Sequence, residues 1–80
     1  MGIQARGRAL VTGASRGIGR TCAEALAEAG FQVGLHFHRE EAAAAALATA
    51  LPGESHPLLQ ADLGSAVEAA ELVERAVAAL

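Results

Sequence analysis

The residues best suited to chemistry lie in one short segment, Thr12-Gly13-Ala14-Ser15-Arg16-Gly17-Ile18-Gly19. It follows the apolar run Ala9-Leu10-Val11 and opens a stretch of helical period. The first N–H groups of a helix have no partner within it, and its aligned peptide dipoles add partial positive charge there. Glycines adopt φ > 0 and let the backbone approach a pyrophosphate closely. In this context the segment reads as an anion-binding turn; without the context it would be only a flexible strand-to-helix connection. The spacing is G-x-x-x-G-x-G, not the G-x-G-x-x-G of the common dinucleotide fingerprint.

The other chemically able side chains are scattered. His36 and His38 stand two apart on an expected strand and so share a face. They make a poor metal site, because zinc sites take three or four protein ligands and only His56 and Asp62 remain as candidates. Packing is expected for His36. Cys22 falls on the expected buried stripe of the first helix, with no partner base nearby in sequence, so it reads as core rather than nucleophile.

The chain that must hold these residues alternates apolar runs with helix-period segments. Ile18, Cys22, Ala25, Leu26 and Ala29 recur at helical spacing and Gly30 ends that helix. Phe31 to Phe37 is the second strand, and Ala44, Leu47, Ala48 and Leu51 mark a second helix stopped by Pro52-Gly53. Pro57 to Ala61 is a weaker third strand. Ser65-Ala66-Val67-Glu68 fits a capping box, followed by the stripe Ala69, Leu72, Val73, Ala76, Val77 and Leu80, with Glu71 and Arg75 expected to pair. The order βαβαβα implies an α/β fold with a parallel sheet, the N-terminal portion of a Rossmann-type doubly wound sheet. Right-handed crossovers put the first two helices on one face, and the third must cross to the other if it leads to a strand beside the first.

The segment T-G-A-S-R-G-I-G resembles the glycine motif of the short-chain dehydrogenase/reductases, and residues 7–80 resemble the beginning of such a protein, nearest to 3-oxoacyl-acyl-carrier-protein reductases. The motif is specific for the family and less so for any subfamily. The resemblance implies that Gly13, Gly17 and Gly19 form the cofactor turn. Ser15, Arg16 and Ile18 would lie along the adenosine phosphate and pyrophosphate. Asp62-Leu63, after the third strand, matches the position that holds the adenine ring, with Asp62 accepting from its exocyclic amine. From residue type alone, Asp62 reads as a turn residue.

The choice of cofactor follows from charge. Dinucleotide folds that use NAD place an acid at the end of the second strand for the ribose 2′-hydroxyl. Here that place reads Phe37-His38-Arg39. A guanidinium suits a 2′-phosphate through charge-assisted hydrogen bonds. Arg16 resembles the family's other basic contact, and His38 is expected near the ribose. Together these favour NADP(H) over NAD(H). Glu40 and Glu41 follow at once, and an acid shifted by one residue could still reach the ribose; the preferred place for both is the first turn of the second helix, where carboxylates suit the dipole.

The family's hydride-transfer chemistry uses Ser, Tyr and Lys, usually with Asn. The chain has no Tyr, Lys or Asn, so no catalytic residue is assigned, and the catalytic half of the domain is expected outside these residues. By itself the chain is expected to be inactive. Its 80 residues allow one small domain, and the formal charge of -3 with scattered arginines argues against a nucleic-acid surface. The single cysteine permits no internal disulfide and no apolar run approaches membrane-spanning length, so a cytoplasmic protein is expected. Met1-Gly2 resembles a myristoylation start, but Arg6 fills the required Ser/Thr position. Three readings stand: part of an NADP-dependent oxidoreductase interconverting carbonyl and alcohol, assembled as a homotetramer or homodimer; a non-enzymatic nucleotide-binding module that recruits a partner along an open strand edge; and an assembly fragment without a ligand.

Overall fold

A computed structural model of the chain describes residues 7–53 and 55–80; the Met1-Gly2 reading lies outside them. The elements run β1 (Gly7–Val11), α1 (Gly17–Glu28), β2 (Phe31–Phe37), α2 (Glu41–Ala50), β3 (Leu58–Gln60) and α3 (Ala66–Ala79). The three strands form a parallel sheet in the order β1-β2-β3. This is the expected incomplete Rossmann-like arrangement.

The middle strand carries the fold. Val33 to Phe37 are buried without interruption, as expected for a parallel strand covered on both faces. Val33 and Leu35 pack with Val11, Ala23, Ala27, Leu47 and Leu51 beneath α1 and α2. On the opposite face Leu59 and Ala61 pack with Leu72 and Ala76 of α3, joined by Leu10 and Leu80. The third helix therefore crosses the sheet. Gly34 makes room for that second layer, because a Cβ there would meet Leu59 and Leu80 side chains at 3.2 Å.

One sequence expectation fails in α1. Cys22 is exposed, as are Ala25 and Ala29, and Ile18 is 84% exposed. The residues that α1 turns to the sheet are Gly19, Ala23 and Ala27, spaced four apart. The physical reason is the close approach of the helix: a Cβ on Gly19 would stand 2.1 Å from the Gly13 carbonyl oxygen. Only the smallest side chains fit that contact; Leu26 of the expected stripe packs partly buried against the core, while Ile18 and Cys22 face solvent.

Three further corrections concern α3. Ser65 Oγ accepts from the Glu68 N–H at 3.3 Å, which is half of a capping box. The Glu68 carboxylate does not return the bond to Ser65; it accepts from the Asp62 N–H at 3.1 Å. Arg75 does not pair with Glu71 but donates to the Gln60 carbonyl. In the stripe of α3, Leu72 and Ala76 are buried while Val73 and Val77 remain exposed.

Parallel pairing in register aligns the C-terminal ends of the strands. Val11 faces Leu35, and Phe37 faces Gln60. The segments after β1, β2 and β3 therefore emerge along one edge, which is where open α/β sheets bind ligands.

Candidate functional site

The site begins with the turn between β1 and α1. Gly13 has φ 60° and Gly17 has φ 64°, conformations that strain any residue with a Cβ, and both open onto free space. Gly19 is required for a different reason, the close contact with Gly13 described above. Three glycines thus meet three local demands. Arg16 precedes the helix in an extended conformation, φ -163°, and makes no side-chain cap. The N–H groups of Gly17, Ile18 and Gly19 begin the helix and have no partner within it. Those donors, with the helix dipole behind them, are what an anion would meet. Ser15 is buried in the turn, and Ile18 projects from it.

The turn is tied to the end of β2. The Gly13 N–H donates to His36 Nδ1 at 2.9 Å, and the Ala14 N–H donates to the His36 carbonyl at 2.9 Å. His36 Nε2 lies 2.9 Å from the Ala61 carbonyl. A backbone N–H only donates and a carbonyl only accepts, so the network assigns the neutral imidazole with its proton on Nε2. His36 is buried, as expected for a packing residue, but its packing is polar and specific. Both its ring nitrogens are occupied by backbone. Among the described residues, no three of His, Cys, Asp and Glu gather where they could hold a metal ion.

His38 and His36 do not share a face in the way alternation implies. β2 ends at Phe37, and His38 is exposed in the following segment. Its Nε2 lies 3.9 Å from Asp62 Oδ2. Asp62 Oδ1 accepts from the Gly64 N–H at 2.8 Å, so the turn role read from residue type is realised. The second carboxylate oxygen faces His38 across the site. Leu63 is 46% exposed beside it.

The basic pair is divided. Arg39 is exposed. Arg16 reaches across the edge to Glu40, 3.8 Å away, with both side chains largely in solvent. Glu40 is the residue ahead of α2 rather than within it, and Glu41 alone occupies the first turn. Gly13, Ser15, Arg16, Gly17, Ile18, Gly19, His38, Arg39, Asp62 and Leu63 all lie on the turn, the start of α1 or the segments after β2 and β3. Sequence reasoning missed the role of His36 as a tie between these segments; no local signal could have shown it, because its side-chain partners lie 23 and 25 residues away.

A parallel α/β sheet with a glycine turn opening its first helix defines a Rossmann-type protein. The model of the short chain dehydrogenase family matches residues 7–80, and the chain belongs to that family. It is 45% identical over 60 residues to the uncharacterized oxidoreductase YmfI of Bacillus subtilis, covering 71% of this chain and 25% of that protein. It is 44% identical over 64 residues to the 3-oxoacyl-[acyl-carrier-protein] reductase FabG of Aggregatibacter actinomycetemcomitans, covering 78% of this chain and 26% of that one. Among solved structures it is similar to the angucycline C-6 ketoreductase LanV with bound NADP. That match has a TM-score of 0.80 and 40% identity, covering 91% of this chain and 29% of the other. The chain thus spans between a quarter and a third of the length of these relatives.

Proposed function

We propose that the chain is the NADP(H)-binding portion of an oxidoreductase that interconverts carbonyl and alcohol groups by hydride transfer, in the manner of a 3-oxoacyl-thioester reductase. The observation that carries this reading is the meeting of Arg16 in the glycine turn with the segment holding Arg39, at one edge of the sheet. The residues present fit the adenosine end of the cofactor. Gly13 and Gly17 open onto free space, and the first N–H groups of α1 have no partner within the helix. The bound cofactor supplies or accepts the hydride at its nicotinamide.

The chain's own residues bind and orient. Gly17, Ile18 and Gly19 offer N–H groups to the pyrophosphate, and the conformation of Gly13 lets the backbone approach it. Ser15 supports the turn from within. Arg16 and Arg39 hold the 2′-phosphate through charge-assisted bonds, with His38 beside the ribose. Asp62 accepts from the adenine amine and the Leu63 backbone lines the ring. NADP(H) is preferred to NAD(H) because the end of β2 presents a guanidinium where an NAD site presents an acid. The bound NADP named for LanV supports this preference. No residue of the chain is assigned to proton transfer.

A second reading, a nucleotide-binding or assembly module, draws on one observation. Arg8 and Leu10 of β1 and Val73, Ala76, Val77 and Leu80 of α3 and its end line a groove of about 380 Å³. The remainder of a doubly wound sheet or a second chain would cover it, and the complete protein is expected to be a homotetramer or homodimer. No helix of the described residues is long and apolar enough to cross a membrane.

The deciding experiment is calorimetric titration of the intact protein that carries this chain with NADPH, NADH and 2′,5′-ADP. Saturable binding of NADPH and 2′,5′-ADP, with NADH much weaker, supports the first reading. A well-folded protein that binds none of them overturns it.

A further inference from the structure

We propose that His36 is the positioning residue that sets the distance between the phosphate-binding turn and the adenine-side segment. The inference rests on the cofactor reading above. His36 is 4% exposed and holds three backbone groups. Its Nδ1 takes the N–H of Gly13, the first glycine of the turn. Its carbonyl takes the N–H of Ala14. Its Nε2–H donates to the carbonyl of Ala61, the fully buried residue immediately before Asp62. One imidazole therefore joins the start of the turn to the segment that carries Asp62.

Two consequences follow from this geometry. First, the Gly13 and Ala14 N–H groups are occupied, so they hold the turn in place rather than bind phosphate. The phosphate donors are left to the start of α1. Second, the imidazole provides an acceptor and a donor on opposite sides of a rigid ring, and both are used. An Asn side chain places an acceptor near Nδ1 but does not reach Ala61. A Gln side chain reaches toward Ala61 but leaves Gly13 without its acceptor. The two substitutions separate the two bonds.

His56 is the internal control. It is 6% exposed, its Nδ1 accepts from the Val33 N–H at 2.9 Å, and its Nε2 lies 2.9 Å from the Pro52 carbonyl. The bonding pattern is the same, but it lies ahead of β3, away from the edge that carries the turn. If His36 only stabilises the fold, substitutions at the two positions should behave alike.

The test compares His36→Asn, His36→Gln and His56→Gln in the intact protein. It measures NADPH affinity by calorimetry and the ligand-free melting temperature of each. Wild-type protein that binds none of the three nucleotides overturns the cofactor reading and this inference with it. Given wild-type binding, His36→Gln should lose roughly tenfold in NADPH affinity, the scale of one lost hydrogen bond. His36→Asn should lose a similar factor, since Gly13 keeps its acceptor but Ala61 is released from the turn. His56→Gln should lower the melting temperature without changing affinity. If either His36 variant binds NADPH as wild type does, or if affinity falls in step with melting temperature at both histidines, His36 is structural only and the cofactor reading stands without it.

Discussion

The Arg16 guanidinium lies 3.8 Å from the Glu40 carboxylate, so the glycine turn and the residue ahead of α2 meet across the end of the sheet. Both side chains are largely exposed, and an exposed pair of this kind is worth little to stability. Under the proposed cofactor reading its importance is for the ligand. A 2′-phosphate held by Arg16 must compete with Glu40 and sit near its negative charge.

Replacing Glu40→Gln should therefore tighten NADPH binding, by about twofold to fivefold at low salt. The gain should shrink as salt is raised. Titration with NADPH and NADH in parallel checks this. Weaker NADH binding with no gain for NADPH would instead place Glu40 on the ribose hydroxyl, as in an NAD site.

Arg39→Ala should weaken NADPH binding by about 1–3 kcal/mol, the scale of a lost bond to a charged group. NADH should be nearly unaffected. An equal loss for both cofactors would show that Arg39 does not touch the 2′-phosphate.

Gly19→Ala tests packing rather than charge. Alanine is the better helix former, but its Cβ would lie 2.1 Å from the Gly13 carbonyl oxygen, so the helix or the turn must move. Overpacking of this kind costs about 1–3 kcal/mol or more. A lowered melting temperature together with lost nucleotide binding is expected. An unchanged melting temperature would show that α1 does not approach the turn this closely.

His56→Leu should cost about 1–3 kcal/mol of stability, because it leaves the Val33 N–H buried without a partner. His56→Asn, which keeps an acceptor near Nδ1, should recover part of that loss. Denaturant unfolding of the two variants makes the comparison, and equal destabilisation would argue that ring volume matters more than the hydrogen bond.

Much of this architecture is written in local pattern. β2 was legible from Phe31 to Phe37 because a buried parallel strand is mostly apolar, here interrupted by Gln32 and His36 and bounded by Gly30 with φ 98° and by the polar His38-Arg39. The glycine turn was legible because left-handed glycines and a helix start have a fixed spacing. The face of α1 was not. Alanines lie on both sides of that helix, and periodicity locates a stripe without saying how close the neighbouring sheet will come.

By itself, the sequence determined the order of strands and helices, the glycine turn and the basic end of β2, since each depends on backbone conformations and periods of a few residues. Only the tertiary structure decided which partners the polar groups take. Arg75 chose the Gln60 carbonyl over Glu71, Glu68 chose the Asp62 N–H over Ser65, and His36 joined Gly13 to Ala61. A buried N–H or carbonyl must be satisfied by whatever group the fold brings beside it, and that neighbour is set by how the elements pack, not by nearness along the chain.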